Sequence, residues 1–192
     1  MIKVVAFNGS PRKKGNTSIL IQTVFDVLTE QGIETELVQI GNKNVHGCTA
    51  CNKCREILNR RCQIKNDLLN DCVGKMIESD GIILGSPVYF ADITSEMKAL
   101  IDISGYVTRG NGQLLARKVG AGIVAVRRAG ELHALNSMNN FFLINQMIIP
   151  GSSYWNVGIG KEPGDVLNDS EGIQTMKKLG ENMAWLLKKI KG

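Results

Sequence analysis

The sequence predicts an α/β fold: a parallel sheet covered by helices on both faces. Two observations carry this expectation. Short apolar runs alternate with longer segments of helical periodicity along the whole chain, the pattern of successive strand–helix units. Several of those runs, "GIILGSP" and "VGAGIVAV" among them, are apolar almost throughout, as strands buried on both faces are.

Taken in order, "IKVVAFN" reads as a buried strand, and "NTSILIQTVFDVLTEQG" follows as a helix stopped at Gly32. "IETELVQI" alternates as a second strand. A cysteine-rich stretch comes next, then "LLNDCVGKMIESD" as a helix and "GIILGSP" as the third strand. "DITSEMKALIDISG" is helical, "VGAGIVAV" a fourth strand, and "ELHALNSMNNFFLINQM" a helix. A weaker strand falls near "SSYWNVG". "SEGIQTMKKLGENMAWLLKKI" closes the chain as an amphipathic helix, with Trp185 expected in the core. Such sheets bind ligands beyond the carboxyl ends of their strands. Chemistry is therefore expected in the loops after the first, third and fourth strands.

Composition narrows the class. A chain of 192 residues, 43% hydrophobic, suits one domain with a real core. No apolar run approaches the ~20 residues that span a bilayer, and the chain enters "VVAF" without a signal-type segment. A cytoplasmic protein with no membrane partner is expected. In that compartment the five cysteines are free thiols, metal ligands or redox groups rather than disulfides. The net charge of +5 is scattered, and aromatic residues make up only 5%. With no nucleic-acid motif present, no nucleic-acid partner is expected. The positive field suits an anionic cofactor or substrate equally well.

The loop "NGSPRKKGNTS", residues 8–18, joins the first strand to its helix. Ser10, Asn16, Thr17 and Ser18 are short polar groups, Gly9 and Gly15 allow close backbone approach, and Arg12, Lys13 and Lys14 add positive charge. A helix N-terminus follows directly, so the loop reads as an anion site. It matches neither G-x-x-x-x-G-K-[ST] nor G-x-G-x-x-G. A hydroxyl-and-amide cradle for a terminal phosphate remains. The plainer alternative is a helix cap with Asn16 or Thr17 at the N-cap.

After the third strand, "GSPVYFADITSEMKALID" places Pro87 where the chain must leave the sheet, with Val88, Tyr89 and Phe90 behind it. An apolar trio at the carboxyl edge either borders a flat ligand or packs on a neighbouring subunit.

Together, "GSPRKKGNTS" and "GSPVYFADITSEMKALID" resemble the NADPH-dependent FMN reductase family of flavodoxin-like proteins. With "SEGIQTMKKLGENMAWLLK" the resemblance covers nearly the whole chain. "CTACNKC" and a later cysteine, between strands two and three, look most like the iron–sulfur flavoprotein branch. The resemblance implies a flavodoxin-like, doubly wound, five-stranded parallel sheet of order 2-1-3-4-5. It implies a single FMN-binding domain over residues 1–192, with a cysteine-rich insert at about 46–66. It further implies that Ser10, Arg12, Asn16, Thr17 and Ser18 surround the FMN phosphate, and that Pro87, Val88, Tyr89 and Phe90 border the isoalloxazine ring. After strand four the family carries a Gly-Gly-Gln-Glu-like turn. The matching stretch here, "VRRAGELHAL", keeps Gly130 and Glu131, which gives Arg128, Ala129 and Gly130 as the third contact.

The cysteines Cys48, Cys51, Cys54 and Cys62 follow C-x2-C-x2-C-x7-C. Thiolates at three-residue intervals let one turn wrap a cubane while a further ligand arrives from later in the chain. The ferredoxin run has a shorter last gap followed by proline; here Gln63 follows Cys62, so that pattern is not met. The iron–sulfur flavoproteins tolerate the longer gap, and the resemblance implies a 4Fe-4S cluster. Lys53, Arg55, Arg60, Arg61 and Lys65, against Glu56 and Asp67, suit a buried anion or an NAD(P)H phosphate. Two alternatives stay open. Zinc is one, although its sites usually come as separated C-x2-C pairs. Packed or redox-active thiols are the other, since cysteines at i, i+3 and i+6 mark one face of a helical turn.

Cys72 reads as core, and His46 and His133 as surface or hydrogen-bonding residues. Tyr154 and Trp155 face a flavin from a neighbouring subunit or pack in a dimer core. The expected activity is that of an FMN-dependent oxidoreductase whose flavin carries the chemistry, with no catalytic side chain. The cluster would pass electrons to or from FMN, and NAD(P)H is the candidate donor. An NAD(P)H-dependent FMN or quinone reductase without a cluster, a non-enzymatic flavodoxin-like carrier and a zinc-stabilised binding module are the alternatives. Small-molecule or protein redox partners are expected, and a homodimer or homotetramer by resemblance.

Overall fold

A computed structural model describes residues 1–64 and 67–192, with Asp67 by its backbone alone. Along the chain run β1 (Lys3–Asn8), α1 (Asn16–Glu30), β2 (Glu34–Gln39), α2 (Lys53–Ile57), α3 (Asp67–Glu78) and β3 (Gly81–Pro87). There follow α4 (Ser95–Gly110), β4 (Val119–Val126), α5 (Glu131–Ile144), β5 (Val157–Ile159) and α6 (Ser170–Lys191). The strands form one parallel sheet of order β2-β1-β3-β4-β5, with Val5 opposite Glu36 and Ile82, Ile83 opposite Ala121, and Ala125 opposite Gly158. This is the flavodoxin-like order that the resemblance implies.

Alternation along the central strands feeds two cores. Val5, Phe7, Ile82, Leu84 and Val124 point to the layer that includes Leu69, Leu100 and Phe142 of α3, α4 and α5. Val4, Ala6, Ile83, Ala121 and Ile123 point the other way, onto Leu20 and Val24 of α1 and Met183 and Leu187 of α6. Every residue of β4 is buried, which is why its sequence lacks a polar face. Cys72 is fully buried, as expected, and that burial pushes its thiol pKa up to about 12, so it is an inert core residue.

The structure refines three local readings. Gly15, not Asn16 or Thr17, is the N-cap of α1, and no side chain caps that helix. Trp185 is 63% exposed. The buried stripe of α6 runs through Thr175, Met176, Leu179, Gly180, Met183, Ala184 and Leu187, and Trp185 lies about 100° round the helix from Ala184. The fifth strand is limited to Val157–Ile159. Upstream, Ser152 Oγ bonds Asn156 Oδ1 at 2.7 Å and the Val157 N–H turns back to the Trp155 carbonyl at 2.7 Å, so that stretch is a turn.

Candidate cofactor site

The carboxyl end of β1 is fixed by its neighbours. Asn8 Nδ2 donates to Gln39 Oε1 at 2.9 Å, and Asn8 Oδ1 accepts the Ser10 N–H at 3.0 Å. Gln39 Nε2 in turn donates to the Ser10 and Gly41 carbonyls at 2.6 and 3.1 Å. The chain after β2 then crosses so closely that a Cβ on Gly41 would stand 2.1 Å from the Ser10 carbonyl oxygen. From the other side, Thr94 Oγ1 donates to the Gly9 carbonyl at 3.0 Å while the Thr94 N–H donates to Ser86 Oγ at 3.0 Å. Thr94 is also the N-cap of α4. One threonine thus ties the loop after β1 to the end of β3.

In this loop Ser10 is buried, and its Oγ accepts the Arg12 N–H at 3.2 Å, which leaves the hydroxyl proton available. Among the described residues, the N–H groups of Asn16, Thr17 and Ser18 at the start of α1 make no hydrogen bond. Unpaired amides at the start of a 15-residue helix are an anion-binding device. The Asn16 side chain is otherwise engaged. Its Nδ2 donates to the Glu162 carbonyl at 3.0 Å and its Oδ1 accepts the Gly164 N–H at 2.8 Å. Arg12 Nη1 reaches the Lys161 carbonyl at 3.2 Å. The segment after β5 is therefore stapled across the loop.

A cleft of about 180 Å³ opens here. Ser10, Arg12, Asn16 and Thr17 line one side, Pro87, Val88 and Tyr89 another, and Ala125, Arg127, Gly160 and Lys161 the remainder. Seven residues expected from sequence meet in it. Ser18, Phe90, Arg128, Ala129 and Gly130 are not among its lining residues. Arg127, rather than the expected Arg128, lines this cleft. Arg128 lines a separate cleft of about 200 Å³ with Trp155 and Glu131. Tyr154 and Trp155 are 62% and 56% exposed, with ring centroids 6.3 Å apart. Gly160 and Lys161 carried no sequence signal, since only the topology brings the end of β5 to this edge.

Phe90 and Ala91 form the tip of a tight turn. The Tyr89 N–H donates to the Asp92 carbonyl at 2.8 Å and the Asp92 N–H returns to the Tyr89 carbonyl at 3.1 Å. Both tip residues have positive φ, 46° and 68°, a conformation that favours Asn-Gly. Phe90 is 107% exposed. Strain of this kind in a non-glycine turn accumulates at functional sites. The turn after β4 packs against it: Gly130 has φ +96°, and a Cβ there would stand 2.9 Å from Ala91 Cα. Behind the turn, Ser137 Oγ bonds Asp92 Oδ1 at 2.7 Å and His133 Nε2 lies 3.4 Å from Asp92 Oδ2. Burial alone would raise the Asp92 carboxyl pKa, but Ser137, the Ile93 N–H and His133 hold it below its ordinary 3.8. His133 is thus a surface hydrogen-bonding residue, and His46 is exposed.

The cysteines form a second site. Cys48, Cys51, Cys54 and Cys62 all line one pocket, closed by Ile103, Tyr106 and Val107 of α4. Cys54 lies in α2, while Cys48 and Cys51 precede it in irregular chain, so the cysteines do not mark one helical face. Burial raises the Cys54 thiol pKa, and its neighbours Cys62, Cys48 and Cys51 add to the shift. Arg55 lies 4.8 Å over the Tyr106 ring. Lys65 and the Asp67 side chain, part of the expected charge balance, lie outside the described residues. About 10 Å³ is open between the pocket walls. Among the described residues no group of His, Cys, Asp or Glu is placed to hold a single metal ion. The pocket wall nevertheless carries four cysteines and no carboxylate or imidazole, the donor type that holds iron–sulfur clusters.

Comparison with known proteins identifies the family. A family model described as NADPH-dependent FMN reductase matches residues 2–162. The iron-sulfur flavoprotein MJ1083 of Methanocaldococcus jannaschii is 39% identical over 99% of this chain and 100% of its own length. The iron-sulfur flavoprotein of Methanosarcina thermophila is 32% identical over 98% and 97%. RosB, solved with bound 8-demethyl-8-formylriboflavin-5'-phosphate, matches with a TM-score of 0.74 over 100% of this chain and 81% of its own, at 16% identity. That likeness concerns the fold alone. With its sheet order, its loop after β1 and its family match in accord, the chain belongs to the NADPH-dependent FMN reductase family, in the iron–sulfur flavoprotein branch.

Proposed function

We propose that this chain is an FMN-dependent oxidoreductase in which Cys48, Cys51, Cys54 and Cys62 hold a 4Fe-4S cluster that exchanges electrons with FMN. The observation that carries the flavin half is the meeting of unpaired α1 amides, Ser10 and Thr17 with the apolar turn after β3 in one cleft. Ser10, Thr17 and the α1 N-terminus bind the phosphate, and Arg12 and Arg127 balance its charge. Asn16 braces the loop from within. Pro87, Val88 and Tyr89 border the ring, Phe90 covers it from the exposed tip, and Ala129 and Gly130 set the height of that tip.

Bound FMN supplies the hydride chemistry and the single-electron steps, and the cluster supplies single-electron storage. The protein's own part is to hold the phosphate in place, exclude water beside the apolar turn and keep the thiols together. A single helix serves both sites. Thr94 caps α4 beside the flavin loop, and Ile103, about 14 Å further along its axis, lies at the cysteine pocket. NAD(P)H is the proposed donor, drawn by Arg12, Lys13, Lys14, Arg127 and Lys161 around the cleft. We place the protein in the cytoplasm as a homodimer or homotetramer, with the half-exposed Tyr154–Trp155 pair at a subunit contact. No helix among the described residues is long and apolar enough to cross a membrane.

The flavin assignment is tested by titrating the apoprotein with FMN and with riboflavin. FMN binds at least tenfold more tightly if the α1 amides and Ser10 hold the phosphate. Equal affinities would refute the phosphate site. Turnover with NADH or NADPH and a quinone then separates an enzyme from a carrier.

A further inference from the structure

Two asparagines hold the cysteine segment where side-chain chemistry alone gives no reason for them. Asn70, on α3, is 6% exposed and forms a two-point clamp on the backbone of Cys62. Its Oδ1 accepts the Cys62 N–H at 2.8 Å and its Nδ2 donates to the Cys62 carbonyl at 3.0 Å. Both backbone groups of one cysteine are thereby paired with one carboxamide, as in a strand bridge. Asn111, the C-cap of α4, does the same work at the other end of the gap. Its Nδ2 donates to the Cys54 carbonyl at 3.0 Å and to the Val107 carbonyl at 2.8 Å, while its Oδ1 accepts the Arg60 N–H at 3.0 Å.

Among the described residues, the segment between Cys54 and Cys62 is otherwise held by the Arg55 guanidinium over the Tyr106 ring and by hydrogen bonds within the segment itself and from Gln63 beside it. The short helix α2, which carries Cys54, has left-handed residues at both caps, Asn52 and Leu58, and positive φ recurs at Arg60. Most of its side chains are exposed. Loop entropy would otherwise let Cys62 wander relative to the other thiols. A buried carboxamide that satisfies both backbone groups removes that freedom.

We infer that Asn70 and Asn111 are positioning residues that hold the backbones of Cys54 and Cys62 at the pocket before a cluster is present. The inference rests on the cluster reading above. It adds that the spacing of the third and fourth ligands is set by α3 and α4 through these two carboxamides, not by the loop sequence.

The test compares the full chain with Asn70→Leu and Asn111→Ala, and with Asn182→Leu as a control. Asn182 donates to the Gly151 carbonyl at 2.8 Å, outside both sites. Each protein is reconstituted anaerobically with ferrous iron and sulfide, and cluster absorption is followed in time. The expected result is slower loading for the two clamp variants, with FMN binding retained and Asn182→Leu loading as the parent does. Equal loading rates and identical electron paramagnetic spectra in all proteins would overturn the inference. A second readout uses the metal-free chain: iodoacetamide labelling of Cys62, read by mass spectrometry, rises in Asn70→Leu if the clamp is real and stays unchanged if it is not. A parent chain that takes up no iron at all defeats the cluster reading itself, and with it the positioning role. In that case the labelling result still scores the clamp separately.

Discussion

Replacing Asn16 by alanine separates two roles that sequence alone merges. If Asn16 were only a phosphate ligand, its loss would weaken FMN binding and leave the empty protein unchanged. In the structure its amide pairs with the Glu162 carbonyl at 3.0 Å and the Gly164 N–H at 2.8 Å, with the Val166 N–H a weaker 3.5 Å away. The residue is 8% exposed, so water can replace these bonds only in part. Two good hydrogen bonds at about 1 kcal/mol each give a loss of about 2 kcal/mol. For a chain of this size that corresponds to a fall of about 4–8 °C in melting temperature. The assay is thermal unfolding of the FMN-free protein by circular dichroism, parent against Asn16→Ala. Asn16→Ala should melt lower even without flavin. An unchanged melting temperature combined with lost FMN affinity would refute the brace and restore Asn16 as a ligand.

Other outcomes follow from the same geometry. Ala91→Gly relieves a residue at φ 68°; a left-handed penalty of about 1–2 kcal/mol, less the extra unfolded-state freedom of glycine, leaves a gain of up to about 1 kcal/mol, read as a higher melting temperature. Arg127→Ala should weaken FMN about tenfold, the worth of one charge-assisted hydrogen bond at about 1.5 kcal/mol, while Arg128→Ala leaves it unchanged; the reverse order would move the third contact to Arg128. Glu36 is bonded to Lys75 and Lys3, which hold its pKa below the ordinary 4.5 despite some desolvation. Its contribution is therefore complete above pH 4.5 and is lost as pH falls through the lowered value. Glu36→Gln should reduce stability at neutral pH and match the parent in strong acid, as measured by urea unfolding at each pH.

Where the sequence spoke clearly, it did so because one physical requirement dominated. The segments "GIILGSP" and "VGAGIVAV" coincide with β3 and β4, since a strand covered on both faces tolerates little but small or branched apolar residues. Ser10, Thr17 and Pro87 through Tyr89 were legible because a helix start and a forced exit from the sheet leave local marks. Trp185 shows the limit. Its helix was plain, but its side of the helix depends on where α1 packs, and a large ring one residue off the stripe is not flagged by hydrophobicity. Asn16, Arg127 and Lys161 show another. Their roles depend on contacts across more than 30 residues, and nothing local distinguishes a carboxamide that binds ligand from one that braces a loop. Asn70 and Asn111 are of the same kind: each is an ordinary polar residue in a helix or at its end until the tertiary structure brings a cysteine backbone against it.

The most direct test of the central claim is the cofactor content of the anaerobically purified chain, from its ultraviolet–visible spectrum with iron and acid-labile sulfide assays. Flavin bands over broad cluster absorption are expected, with about four iron and four sulfide per chain. Iron and sulfide should be lost in Cys54→Ser and unchanged in a variant of the buried Cys72. Flavin bands with neither iron nor sulfide would contradict it and leave an FMN reductase or carrier whose cysteines serve another purpose.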